Sequence, residues 1–442
     1  MTAKKLITAL SLATCLSLAL AGCGDSRAGG DTAGGGAAAR GGTMGADGVF
    51  RVNADGCPPD ASEPLPDGAP IKVGVSMALS GPLAAVGAPN IDGLRAVFAA
   101  ANDEGGIDGH PIELVVKDDA YDPARATANA QAFTGQDKVF ATLLQISNAS
   151  IIATRPIYEA ACVPQLGTIS QHKEAADPER HAWTTVTIPP AVTEAEAAAE
   201  YLAKVHPQGA VMEFRQQVTL GEDWAQVFPG AAQRRGLRLL EVQHIAPTET
   251  NLDAPAAKLT ASGADAVMAE VQGPMCVSLL QSLAKAGFKG SVVLTSACNG
   301  AKQFMQPLGK AADGVAALFF QKDPSTPSAR TDPGMKRYFD DLAKYQPKAD
   351  PTVTMTLNGY EAGNLLVHNL RAAARMEGGL TRVNLMNAAW NAQVERTTFL
   401  QPKQSINGPK DPYIINDVTV QTYDAATGDW KPTGVVYTHR AE

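Results

Sequence analysis

Few residues of this 442-residue chain could do chemistry, and their spacing argues against most of the possibilities. Gly74-Val75-Ser76-Met77-Ala78 holds a serine but lacks the second glycine of a nucleophile elbow. There is no HExxH, no P-loop and no glycine-rich dinucleotide turn. His172 and His181 lack metal-ligand spacing and read as residues of a polar surface loop. Six cysteines show neither C-x-x-C nor paired His/Cys spacing, which disfavours zinc. Cys15 falls in an apolar leader and Cys23 in a motif taken up next. Cys57, Cys162, Cys276 and Cys298 remain, an even number in an exported chain, so two disulfides are expected among three possible pairings. The residues describe a non-enzyme without metal or cofactor; a hydrolase is the alternative they support least.

The first residues carry a different chemistry. Lys4 and Lys5 precede an apolar run from Leu6 to about Leu20, then Ala21-Gly22-Cys23. A basic start, a short apolar stretch and small residues describe an export signal rather than a spanning helix. With a cysteine directly after them, the site looks like a bacterial lipobox. That implies a signal peptide over 1–22, a lipid on the Cys23 sulfur and an anchor at the outer face of the cytoplasmic membrane. No later apolar run approaches the ~20 residues a spanning helix needs. Lys and Arg number 37 against 45 Asp and Glu; without Lys4 and Lys5 the balance is 35 against 45, a net of −10. Nucleic acid is therefore a poor partner, as is an anionic lipid surface.

Elements follow from patterning. Gly24 to about Gly48 is dominated by Gly, Ala and Asp, too poor in apolar side chains to offset its ordering entropy, so 23–69 reads as a lipidated N-terminus and flexible tether. Ile71–Ser76 is a β-branched run broken by Ser80-Gly81-Pro82. A helix from about Pro89 to Asn102 puts Ile91, Leu94, Phe98 and Ala101 on one face. Strands are expected at Ile112–Val116, Val139–Leu144, Ala210–Phe214, Leu237–Val242, Ala264–Val271, Ser291–Thr295 and Gly314–Phe320, with helices between most of them. Beyond Pro333 the chain is mostly helical to about Trp390, then strand-like at Tyr413–Tyr423 and Trp430–Tyr437. Strands alternating with helices imply parallel sheets built from βαβ units, with binding crevices at the strand carboxyl ends.

One block is more specific. Ile71-Lys72-Val73-Gly74-Val75, Leu79-Ser80-Gly81-Pro82, Asn102-Asp103-Glu104-Gly105-Gly106-Ile107-Asp108-Gly109 and Asp118-Asp119-Ala120-Tyr121-Asp122-Pro123 together resemble the leucine/isoleucine/valine-binding proteins, extracytoplasmic solute receptors of ABC importers. The likeness continues through Ile157-Tyr158-Glu159, Val163-Pro164, Ala284-Lys285-Ala286-Gly287 and Tyr360-Glu361-Ala362. It implies a type I periplasmic-binding-protein fold: two parallel-sheet α/β lobes joined by a three-crossover hinge. Lobe 1 would hold 70–189 plus 321–399 and lobe 2 would hold 190–320 plus 400–442. It also implies a monomer that captures a small amino-acid-like, carboxylate or amide ligand and delivers it to permease and ATPase subunits. A ligand sensor without transport is the alternative reading.

The resemblance also assigns a pocket. First-lobe contacts fall on Ser80, Val86, Gln145, Asn148, Ile169, Ser170 and Gln171, with Asn148 and Gln171 where the family usually has a serine and a threonine. Ser147 to Ser150 open a helix whose N–H groups make an anion site. Second-lobe contacts fall on Leu220, Gln272 and Ser296, with Met355 also lining the cleft. Ser296 stands where the family places a carboxylate for the ligand ammonium, and Glu270 is the nearest acidic substitute. A buried ammonium without a carboxylate is costly. Weak binding of free amino acids is therefore expected, and better binding of uncharged or carboxylate-only molecules. The family's first-lobe disulfide positions are Tyr121 and Ser147 here. Cys276 and Cys298 would share one sheet edge, which favours Cys276–Cys298 and leaves Cys57–Cys162.

Overall fold

The computed structural model describes residues 40–81 and 83–439; the expected signal peptide over 1–22 and the expected lipid site at Cys23 lie outside them. Five parallel strands form the first sheet, in spatial order Ile112–Asp118, Ile71–Met77, Ala141–Leu143, Gln165–Thr168 and Thr184–Val186. Ile71, Val73, Val75 and Met77 on one face and Gly74 and Ser76 on the other are buried, as expected of a parallel strand covered on both faces. The helices Ala84–Asp103 and Thr354–Ala374 pack so closely that a Cβ on Gly93 would lie 2.1 Å from the Thr356 carbonyl oxygen. Glycine there is what lets the two backbones touch. The first of these helices begins before the expected start, with Pro89 inside it.

A second sheet of seven strands runs Asp429–Thr438, Asp417–Asp424, Ala316–Phe319, Ser291–Leu294, Ala266–Glu270, Ala210–Gln216 and Arg238–Ile245. Its last five are parallel, but the closing hairpin pairs antiparallel, so this sheet is mixed rather than wholly parallel. Tyr413 to Asn416, read as the start of a strand, lies before it.

In both sheets the parallel strands follow the order 2-1-3-4-5 by chain position. Sequence order then reverses between the first and third strands, which opens a crevice beyond their carboxyl ends. In the first sheet that crevice lies beyond Met77 and Leu143; in the second it lies beyond Gln216 and Glu270. The chain passes between the two halves near Pro190, near Phe320 and near Leu400. At the last two passages Gln321 pairs with Phe399, and Leu400 N–H donates to the Phe320 carbonyl.

The tether reading fails from residue 40 onward. Gly42–Met44 and Phe50–Val52 form a small antiparallel hairpin. Phe50 is fully buried with its ring 5.7 Å from that of Trp390, and Asn391 and Asn387 cap the backbone N–H groups of Phe50 and Val52. Buried aromatic surface and satisfied backbone groups dock this segment on the first half. Cys57 then bonds Cys162, and Cys276 bonds Cys298.

Candidate functional site

Among the described residues, four of the eight non-glycine positions with positive φ gather at the carboxyl edge of the first sheet: Ala120, Tyr121, Leu144 and Ser147. Such backbone is costly for residues with a Cβ, and its concentration at one sheet edge marks a candidate functional site. Ser147, at φ 92°, caps the helix Asn148–Ala161 by accepting from Ser150 N–H. The remaining first-turn N–H groups have no carbonyl of their own helix to bond, so they present donors to the crevice.

The predicted residues divide into three groups. Ser80 serves its loop: its Oγ donates to Asp118 Oδ2 at 2.6 Å, so its proton is already used. That carboxylate also accepts from Leu79, Ser80 and Ala120 N–H, and the Ser80 hydroxyl and these N–H groups hold it well below the usual range. Gln145 belongs to a buried network, its Oε1 accepting from Thr154 Oγ1 (2.9 Å) and Gln165 Nε2 (2.7 Å). Val86, Met355 and Leu220 are half-buried in the first turns of their helices, with Leu220 against the core around Trp224. Ile169 is fixed by backbone, donating N–H to the Gln145 carbonyl.

The third group joins the two halves. Ser170 Oγ donates to Asn148 Oδ1 at 3.2 Å. Next to it Gln171 reaches across, its Nε2 donating to Glu194 Oε1 at 2.7 Å and its Oε1 accepting from Trp224 Nε1 at 3.2 Å. Glu194 in turn accepts from Ser296 Oγ (2.6 Å) and Ser296 N–H (3.2 Å). Gln272 makes no hydrogen bond with this cluster among the described residues; its N–H donates to Gln216 Oε1.

Glu194 was not among the residues read from sequence. It lies in the first turn of the helix Ala191–Val205, directly after Pro189-Pro190, where an acidic residue reads as a helix-dipole partner. The available signal was its place beside an expected crossover. Its side chain is 0% exposed and no cation pairs with it, so burial pushes its carboxyl up to about 7 against three opposing hydrogen-bond donors. The expectation of a second half without a carboxyl group near Ser296 is thereby overturned: the helix Ala191–Val205 brings one to it. Glu270 Oε2 pairs with Arg215 Nε at 2.7 Å and its Oε1 has no partner; among the described residues no hydrogen bond joins it to Ser296.

The histidines are also better placed than the surface-loop reading allowed. His181 Nδ1 lies 2.7 Å from the buried Glu159 carboxylate. His172 Nε2 lies 3.8 Å from Asp223 across the same seam, and burial lifts Asp223 to about 6 despite the imidazole beside it. Among the described residues no group of three or more His, Cys, Asp or Glu side chains could hold a metal ion.

Comparison with known proteins agrees with this architecture. Residues 70–428 match the model of a family described as periplasmic binding protein. A Leu/Ile/Val-binding protein homolog 2 of Brucella abortus is 26% identical over 226 residues, 51% of this chain and 60% of the relative. A Leu/Ile/Val-binding protein homolog 3 of Brucella melitensis is 24% identical over 45% of this chain and 54% of the relative. The chain thus matches little more than half the length of these curated relatives. Among solved structures, a branched chain amino acid ABC transporter from Thermus thermophilus with bound valine aligns at TM-score 0.74 and 18% identity, covering 85% of this chain and 98% of that one. A fatty acid ABC transporter substrate-binding protein from Thermomonospora curvata aligns at TM-score 0.72 and 19% identity, covering 90% and 97%. At these identities the structural likeness speaks for the fold.

Proposed function

The chain belongs to the periplasmic binding protein family, and from that premise we propose that it is an extracytoplasmic receptor that closes two lobes on a small solute and hands it to an ABC permease and its ATPase. In this reading lobe 1 is 70–189 plus 321–399, lobe 2 is 190–320 plus 400–442, and Cys23 carries the lipid that keeps the receptor at the membrane. The observation that carries it is the Gln171–Glu194–Ser296 bridge, a polar contact between groups at the carboxyl edges of two separate sheets. The contact lies beside the chain passage at Pro190, where Ala191 N–H also donates to the Gln171 carbonyl, and it supports a reading in which a solute between the two sheets is met by groups of both.

The ligand that fits has an acceptor end and a donor end. A carboxylate or carbonyl would meet the first-turn N–H groups at Asn148, and an amine or amide N–H would replace Gln171 as the donor to Glu194. Solved relatives of this fold carry names as different as valine and fatty acid, so the fold itself does not choose the solute.

A thermal-shift screen of amino acids, small carboxylates and amides tests the proposal. A ligand of the closed form raises stability by about RT ln(1+[L]/Kd), roughly 2.7 kcal/mol at a hundredfold excess over Kd. At least one compound should stabilise the protein, and Ser296→Ala should weaken that effect. A screen without any hit, or a hit indifferent to Ser296→Ala, would count against it.

A further inference from the structure

A second cavity, of about 390 Å³, lies away from the crevice just described. Its walls come from the helices Ala84–Asp103, Lys336–Tyr345 and Thr354–Ala374 and from residues 394–398. None of the cleft residues lines it. Its size falls within the range of small-molecule sites, roughly 300–1,000 Å³.

Two buried charges of opposite sign face this space. Arg396 is 4% exposed; its Nε and Nη2 both donate to Gln404 Oε1, its guanidinium lies 4.0 Å over the Phe399 ring, and its Nη1 has no partner. Glu361 is also 4% exposed, and its Oε2 has no partner. No ion pair joins the two. A buried donor and a buried acceptor left open on one cavity are desolvated without compensation, the more costly when charged. Of the other charges on its wall, Arg337 and Arg371 both pair with Glu104 and the Tyr360 hydroxyl donates to Asp341, while His368, Arg375 and Glu395 also line the space.

We propose that this cavity is a second ligand site, distinct from the interlobe crevice, for a small zwitterion whose carboxylate meets Arg396 Nη1 and whose ammonium meets Glu361 Oε2. A zwitterion answers both open groups at once, which neither a simple anion nor a simple cation can do. The site also touches the hinge passages, because Arg396 covers Phe399 and Phe399 stacks on Phe320 with ring centroids 6.3 Å apart. Occupancy there would hold residues 394–399 against the helix Thr354–Ala374, beside two of the three interlobe passages.

The test titrates the full chain calorimetrically with glycine, β-alanine and γ-aminobutyrate, zwitterions of increasing charge separation, and with acetate and methylammonium as single-function controls. One zwitterion should bind at least ten-fold more tightly than either control, and Glu361→Gln should weaken it ten-fold or more. Ser296→Ala should leave it unchanged, which separates this site from the crevice. A crystal structure of the unmutated chain with the best zwitterion should show it spanning Arg396 and Glu361, so the result does not depend on how Glu361→Gln folds. Ordered water alone in the cavity, no preference over the controls, or binding lost with Ser296→Ala but kept with Glu361→Gln would each overturn the proposal.

Discussion

Glu194 is a carboxyl with three hydrogen-bond donors around it and no cation, and its protonation should therefore report what the crevice holds. Its closed-state value of about 7 lies above the ordinary 4.5, so the buried site prefers the neutral acid. The sign follows: closure without a cation is favoured at low pH, weakens as pH rises from about 4.5 to about 7, and is flat above. The difference corresponds to about 3 kcal/mol, or a few hundred-fold in a closing equilibrium. A carboxylate-only ligand should accordingly bind with uptake of up to one proton near pH 6 and lose affinity towards pH 7. An amine-bearing ligand keeps Glu194 ionised and should show neither effect. Calorimetry in buffers of different ionisation enthalpy separates the two cases, and Glu194→Gln should abolish the difference between them. The sequence made the position of Ser296 legible, but not the carboxyl that its hydroxyl would meet. Side chains arriving from different elements are brought together only by the fold.

At the scale of elements, the long strands were readable because a buried parallel strand is rich in apolar residues, as Ile71, Val73, Val75 and Met77 show in Ile71–Met77. Gln165–Thr168 and Thr184–Val186 were not, since three or four residues carry too little pattern to separate strand from loop. The hairpin at 42–52 was hidden for a related reason. Its composition up to Gly48 is that of a linker, and only Phe50 and Val52 carry the burial that docks it. Phe50→Ala should therefore cost about 3–5 kcal/mol in denaturant unfolding, the range for emptying a buried aromatic site. A cost within about 0.5 kcal/mol would mean the segment is a tether after all. Cys57–Cys162 closes a separation of 105 residues, for which chain entropy gives roughly 4–5 kcal/mol. The double variant Cys57→Ser/Cys162→Ser should lose stability of that order, and more than Cys276→Ser/Cys298→Ser, whose separation is 22.

The whole molecule repeats one solution twice: two sheets whose five parallel strands follow the same order, each opening a crevice at its carboxyl edge, with three chain passages between them. That much was legible from the alternation of strands and helices and from the resemblance of residues 71–123. The antiparallel closing hairpin and the docked N-terminal segment were not. The measurement that most directly tests closure on a solute is small-angle scattering at about pH 8, where an ionised Glu194 disfavours closure on its own. Ligand can shift the balance of open and closed shapes only through its greater affinity for one of them. Adding the strongest thermal-shift ligand at saturation should reduce the radius of gyration, and Gln171→Ala should diminish that change. A scattering curve unchanged by saturating ligand would contradict the account.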